Sequence, residues 1–342
     1  MNFEKTKFVY VNWQNDYEKY VLLKCQRQCQ NVFLNNCPDK RSHGLQWFLY
    51  KIHMSPRTNK LFNLPLKRIW NHQMIEKSVR KSLSKDDKIV FIFSGTSYRY
   101  IDFKLTVFLK KTYPNSRTVY IFSDKVMLYQ SIDEKFSIEK LKQNFDAVIS
   151  YNNKDAERYS LIMEPFKPYD FSDVEEDFDI PLSDVFYVGK DKGRLVDILQ
   201  VFEIARASGL KCDFTILGVP NEKRVYSDEI EYERRIPYLE MLKRVKRSKS
   251  ILNIMQDGAD GITLRDYEAF GMNKILITNS EAVKKLPNYQ EDMVIELGDL
   301  SEKIYKLVEY DTYSQWKHPF AITYKEYYEL LGKIVYQTEE KV

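Results

Sequence analysis

In the stretch DGADGITLRDYEAFGMNKILIT, residues Asp257–Thr278, two carboxylates stand eight residues apart, Asp260 and Glu268. Gly258 and Gly261 let the backbone turn tightly and approach a ligand closely. Gly261, Ile262, Thr263 and Leu264 fall where a helix is expected to begin. Free N–H groups of a first helical turn, with the helix dipole behind them, bind anions such as phosphate. Thr263 is suited to capping that helix or donating to a phosphate oxygen. A carboxylate accepts hydrogen bonds from paired hydroxyls, as on a ribose or a hexose. At 1.5 Å of rise per residue the two acids stand about 10 Å apart, the span of an extended phosphorylated ligand. Spacing alone leaves a second reading open. A strand, a glycine turn and a helix are a common sequence, and Glu268 would then be an ordinary helix residue.

The elements that must position these residues are legible as a rhythm of apolar runs. SILNIM precedes the loop and KILIT follows its helix. The same strand, polar turn and helix pattern begins at Lys88 with KIVFIF, SGTSYRY and DFKLTVFLKK, and continues through RTVYIF and FDAVISY. Continuous apolar runs of this kind mark parallel strands buried on both faces. Three prolines and a dense acidic run at Met163–Pro181 predict a linker. A second series follows: DVFYVG, a helix closing at Gly209, KCDFTILG, the helix PYLEMLKRVKRS, SILNIM, KILIT, DMVIEL, and the final helix AITYKEYYELLGKIVYQT. Two successive series predict two doubly wound α/β domains facing across a cleft, with ligands at the carboxyl ends of their strands. The expected boundaries are 1–168, 169–318, and a C-terminal helix within 319–342 that returns to the N-terminal domain.

Composition narrows the function classes. The chain has 342 residues, 44% hydrophobic and 30% charged, a globular balance. No apolar run is long enough to span a bilayer, and the lysines near the start precede too short an apolar run for a signal peptide. A cytoplasmic protein is therefore expected. Residues 1–170 carry 29 Lys+Arg against 17 Asp+Glu, a balance of +12, and the remainder balances at −8. A basic half predicts an anionic partner or a solvated basic surface. No nucleic-acid motif is visible, so no nucleic-acid partner is expected. Among residues 53–83, Leu61, Phe62, Leu64, Leu66, Ile69 and Trp70 are interleaved with Lys60, Lys67 and Arg68. That segment either packs in the core or lies on a membrane surface. Cys25, Cys29, Cys37 and Cys212 match no zinc spacing and read as reduced thiols, and His43, His53, His72 and His318 read as structural.

The forty or so residues from Tyr238 to Ser280 closely resemble bacterial lipopolysaccharide and capsular polysaccharide glycosyltransferases of the GT-B class. The resemblance rests on an apolar strand, the QDG turn, GITLR, EAF and the strand KILIT. DVFYVGKDKGRLVDIL and FDAVISYNNKDAERYSL extend it more loosely, and residues 1–85 match nothing. The resemblance implies the GT-B fold, two Rossmann-like domains, and transfer of a sugar from a nucleotide-sugar, UDP-sugar favoured. The implied acceptor is a growing, lipid-linked surface polysaccharide, so the enzyme would lie peripherally on the anionic inner face of the membrane. It implies that Glu268 holds ribose hydroxyls and that Gly261, Ile262, Thr263 and Leu264 offer N–H groups to the diphosphate. Asp260 stands where a donor-sugar carboxylate, usually Glu, is found. Arg265 pairs with phosphate or braces the helix, and Tyr238 belongs to the donor side. Gly189, Lys190, Lys192 and Arg194 resemble the loop whose cations neutralise the leaving diphosphate. Acceptor candidates follow the N-terminal strands: Ser94, Gly95, Thr96, Tyr98 and Arg99, with Asp124 as the base an inverting enzyme requires. No Asp-x-Asp metal motif of the GT-A kind is recognised, so neither metal nor cofactor is expected. Two alternatives share the fold, a nucleotide-sugar 2-epimerase and a non-catalytic partner subunit.

Overall fold

The computed structural model describes residues 5–11, 16–35, 44–55, 58, 64–66, 69–70, 75–95, 104–132, 136–310 and 322–337. Within them twelve strands form two six-stranded, all-parallel sheets. The first contains β1 (Lys7–Val11), β2 (Val32–Asn35), β3 (Ile89–Ser94), β4 (Ser116–Ile121), β5 (Ala147–Ser150) and β6 (Ile162–Met163), in the order β2-β1-β3-β4-β5-β6. The second contains β7 (Ser183–Lys190), β8 (Cys212–Leu217), β9 (Ile230–Tyr232), β10 (Ser248–Asn253), β11 (Ile275–Thr278) and β12 (Val294–Glu296), in the order β12-β11-β10-β7-β8-β9. The chain divides into two compact units, residues 1–165 with 324–342, and residues 166–323.

Strand alternation builds a core on each face of the first sheet. Val9, Val11, Ile89, Phe91 and Phe93 enter one core, with Leu105 and Leu109 of the helix Lys104–Thr112. Phe8, Tyr10, Val90 and Ile92 enter the other, with Leu22 and Cys25 of the helix Asp16–Gln28. The C-terminal helix, Tyr324–Gln337, belongs to this second core. Its Tyr324, Tyr327, Tyr328, Leu331 and Val335 recur at helical spacing and are all buried there. Tyr328 packs 4.7 Å from Phe8 between ring centroids, and its hydroxyl lies 3.0 Å from that of Tyr10. Cys25, Cys29 and Cys212 are free thiols, while Cys37 lies outside the described residues.

The chain passes from the first unit to the second within the expected linker, after Pro165, but the stretch is packed. Tyr169, Phe171 and Val174 are buried, and Tyr169 lies 4.7 Å from Tyr267 in the second unit. The Lys167 N–H donates to the Tyr267 hydroxyl at 3.0 Å. Acidic residues of the run are held in place too: Glu176 pairs with Arg247 at 2.6 Å and Asp177 with Lys243 at 3.0 Å. The prolines break secondary structure without freeing the chain, because aromatics between them find a core.

At Trp70 the basic segment follows the core-packing reading. Trp70 is buried against Tyr50, and its Nε1 donates to His53 Nδ1 at 2.8 Å. His53 Nε2 lies 2.7 Å from the Pro65 carbonyl, so both ring nitrogens are used structurally. Leu66 and Ile69 are exposed. Lys60, Leu61, Phe62, Lys67 and Arg68 lie outside the described residues, as do His43, His72 and His318. Among the described residues no helix is long and apolar enough to cross a membrane.

Candidate functional site

The second sheet reverses direction between β7 and β10. The chain runs from β7 outward through β8 and β9, then returns to β10 on the other side. Ligands of doubly wound folds sit outside the carboxyl ends of the strands at such a reversal. Here that place is bounded by the loop Lys190–Arg194 after β7 and by the loop from Ile254 to Thr263 after β10.

The first loop is tight. Lys192 and Gly193 both take left-handed backbone angles, with φ of 47° and 82°. Asp191 caps the next helix, Leu195–Ala207, by accepting from the Leu195 N–H at 2.8 Å. Arg194 is half-buried and spans both strand ends. Its guanidinium donates to the carbonyls of Asp191 at 3.1 Å, Lys190 at 2.5 Å and Ile254 at 2.5 Å. No carboxylate pairs with Arg194 among the described residues, so its charge is left for something else. Lys190 and Lys192 are exposed beside it.

After β10 the loop turns at Gly258, whose φ of 75° suits glycine. It enters the eight-residue helix Leu264–Gly271 through Thr263, which is extended and acts as the N-cap. Asp266, fully buried, accepts from the Thr263 N–H at 2.7 Å and from its hydroxyl at 3.0 Å. Asn253, at the end of β10, donates to the Thr263 hydroxyl at 3.0 Å and to Asp266 at 2.7 Å. Burial pushes the Asp266 carboxyl up to about 6 against these hydrogen bonds. Sequence reasoning did not single out Asp266, although T-L-R-D has the spacing of a capping box. One consequence concerns the phosphate reading: the Thr263 N–H is already taken by Asp266, so it is not on offer to a ligand. Gly261 is buried and Ile262, Leu264 and Asp260 are half-buried on the same loop and first turn.

Glu268 does not present a free carboxylate to a ribose in this conformation. It is 0% exposed. One oxygen accepts from the Tyr238 hydroxyl at 2.9 Å and the other from Arg265. Arg265 in turn donates to the Val188 carbonyl of β7 at 3.0 Å. Burial raises the Glu268 carboxyl above its ordinary value, opposed by Arg265 and Tyr238. Glu268 therefore holds two residues in place, Tyr238 from the helix Tyr238–Lys246 and Arg265 from its own helix. The arrangement brings Arg265 and Arg194 to neighbouring carbonyls of one strand, Val188 and Lys190.

In the first unit, Ser94 donates to Glu18 at 3.2 Å and the Gly95 carbonyl accepts from the Tyr120 hydroxyl. A Cβ at Gly95 would lie 3.1 Å from Ser123 Oγ, so the ends of β3 and β4 are neighbours. Asp124 follows Ser123 and accepts from the Lys125 N–H at 2.8 Å. Ser94, Gly95 and Asp124 thus lie together at the carboxyl ends of β3 and β4, beside buried Tyr129, whose hydroxyl is 3.0 Å from Ser123 Oγ. Thr96, Tyr98 and Arg99 lie outside the described residues. Among the described residues no three His, Cys, Asp or Glu side chains converge as metal ligands. The one Asp-x-Asp tripeptide, Asp177 to Asp179, lies in the acidic run before β7, where Asp177 is bound to Lys243.

No protein-family model and no curated protein matches the chain. Solved structures do. An α-glucosyltransferase in complex with UDP-glucose and DNA containing an abasic site aligns over 97% of this chain and 95% of its own, at 13% identity and a TM-score of 0.52. An α-glucosyltransferase in complex with UDP and a mismatched 13-mer DNA aligns over 95% and 94%, at 12% identity and 0.52. The UDP-GlcNAc 2-epimerase of Methanocaldococcus jannaschii aligns over 97% and 99%, at 12% identity and 0.48. At such identities the likeness is one of fold. The chain has the GT-B fold, two Rossmann-like units, with its second unit in the 3-2-1-4-5-6 strand order of dinucleotide-binding sheets.

Proposed function

We propose that the protein is a glycosyltransferase that takes its sugar from a nucleoside-diphosphate donor bound in the second unit. The observation that carries this reading is Arg194. A half-buried guanidinium with no carboxylate partner among the described residues, tied across the carboxyl ends of β7 and β10, favours an anion at the sheet's reversal point. Arg265, the exposed Lys190 and Lys192, and the helix start at Leu264 add to the same field. UDP is the favoured nucleotide, supported by the UDP and UDP-glucose held by the fold neighbours.

In the transfer, the bond between the sugar anomeric carbon and the distal phosphate oxygen breaks, and its electron pair leaves with the diphosphate. The acceptor hydroxyl oxygen forms the new bond and loses its proton. Cations fixed at the diphosphate stabilise the charge that grows on it and need no metal to do so. Asp124, at the strand ends of the first unit, is the candidate to take the proton if configuration is inverted.

The acceptor reading is a lipid-linked surface glycan reached at the inner face of the membrane. Its support is an apolar stripe on the helix Leu45–Met54. Leu45, Phe48, Leu49 and Ile52 recur one turn apart, and all are exposed, Leu45 by 74% and Phe48 by 57%. Exposed Lys51 flanks them, within a half of the chain that balances at +12. Such a helix lies in a headgroup layer with its apolar side down.

A thermal-shift series with UDP-, GDP-, dTDP- and CMP-sugars tests the donor reading. One nucleotide class should raise Tm by several degrees, with slow donor hydrolysis by the pure protein. No shift with any of them would end it.

A further inference from the structure

We propose that the Tyr187 hydroxyl is a donor-binding group whose acceptor is an oxygen of the bound diphosphate. The inference rests on the donor reading above and assigns a residue that reading did not contain. Tyr187 lies on β7 and is 3% exposed. Its ring packs on Phe214, 5.8 Å between centroids, so the ring is explained by the core. The hydroxyl is not: it is buried and has no hydrogen-bond partner among the described residues. Buried hydroxyls are rarely left so, because losing water without a replacement bond is unfavourable.

The surroundings say what kind of partner is missing. Gly189 sits two residues on, on the same face of the strand. A Cβ there would come within 2.8 Å of the Tyr187 hydroxyl. Gly189 is not among the residues with left-handed backbone angles, so its glycine is required for space and not for conformation. The pair Tyr187 and Gly189 therefore delivers a hydroxyl near the carboxyl end of β7, where Gly189 places no side chain over it. The charged groups acting on that hydroxyl are Arg194, Arg265 and Asp191. Guanidinium groups only donate, so neither arginine can accept the hydroxyl proton. Asp191 Oδ1 holds the start of the Leu195 helix, and neither oxygen of Asp191 is bonded to the Tyr187 hydroxyl. The remaining need is for an anionic oxygen acceptor, at a point flanked by two cations. A phosphate oxygen meets both conditions, reaching the hydroxyl past Gly189. A phenylalanine at 187 would fill the same core space and lack only this function.

The test compares wild type with Tyr187→Phe by titration calorimetry against UDP, uridine and inorganic phosphate, with Tm measured for each protein without ligand. Expected are an unchanged or higher ligand-free Tm, a UDP affinity reduced about tenfold, and equal affinities for uridine. Phosphate binding, where measurable in wild type, should fall with UDP. A second variant, Gly189→Ala, presses a methyl group onto the hydroxyl and should weaken UDP in the same way while sparing uridine. Equal UDP affinity in wild type and Tyr187→Phe would overturn the assignment. A lower ligand-free Tm with unchanged UDP affinity would also overturn it, by placing a structural water on the hydroxyl. If wild type binds no nucleotide at all, the donor reading itself falls. A difference confined to the variants touches only Tyr187.

Discussion

Replacing Glu268 by Ala and by Gln should give opposite results, and the difference measures what the residue is for. Alanine removes the acceptor of both the Tyr238 hydroxyl and Arg265, at a position that is 0% exposed. Breaking a buried pair by deleting one partner costs about 3–5 kcal/mol. Arg265 is 23% exposed and regains some water, so the lower half of that range is expected. For a unit of this size, with Tm moving about 2–4 °C per kcal/mol, the second unit should melt about 6–16 °C lower. Glutamine keeps the volume, accepts from Arg265 through its amide oxygen, and can donate to Tyr238. Burial has already raised the Glu268 carboxyl above its ordinary 4.5, so ionising it opposes folding. A raised carboxyl means that the folded state holds its proton longer, so stability falls as pH rises from 4.5 through the raised value. Glu268→Gln removes that fall and should equal or exceed wild type in stability at pH 7.5. Urea midpoints of the three proteins at pH 4.5 and 7.5 provide the assay. If Ala costs less than about 1 kcal/mol, the trio is not structural and Glu268 is open to a ribose after all. If Gln folds normally yet abolishes UDP binding, the carboxylate touches the ligand directly.

Three further outcomes follow from the same geometry. Lys192→Ala should leave Tm unchanged and lower kcat at least tenfold, about 1.4 kcal/mol of transition-state stabilisation, in a donor-turnover assay. A rise in KM alone would remove Lys192 from the leaving-group role. Asp266 is raised from 3.8 to about 6 and fully buried, so its ionisation opposes folding by about 3 kcal/mol above pH 6, relieved as pH falls toward 3.8. Asp266→Asn should flatten the dependence of Tm on pH between 4 and 6, and an unchanged profile would contradict the assignment. Sedimentation with anionic liposomes at low salt should be strong, weaken with salt, and be lost in Phe48→Glu/Leu49→Glu. Failure of the unmodified protein to sediment at any salt would leave a soluble acceptor.

Much of the fold was legible because parallel strands buried on both faces are written as unbroken apolar runs. IVFIF, VYI, VFYV and ILI are such runs within β3, β4, β7 and β11, and each of these strands lies inside its sheet. The strands that escaped notice are short and peripheral. β2 and β9 are the edges of their sheets, β6 has two residues, and β2 is hidden in a stretch that continues the helical spacing of its neighbour. An edge strand has one neighbour and little apolar surface to declare itself. Helix starts were legible for the same local reason, since the Thr263 cap and the Gly258 turn depend on residues close in sequence.

The roles of the charged residues were less legible, because they depend on contacts between residues far apart. Arg194 reaches a carbonyl 60 residues away and Arg265 one 77 residues away, while Tyr238 meets Glu268 across 30. A cation after a strand reads identically in sequence whether it faces a ligand or ties two strand ends together. In this fold Arg194 does the second, and because its partners are backbone carbonyls no carboxylate among the described residues offsets its charge. Glu268 does the reverse: its pairing with Arg265 compensates a charge and fixes a position. In the proposed donor site the field would come mainly from Arg194 and the exposed lysines beside it, with Glu268 acting through the residues it holds.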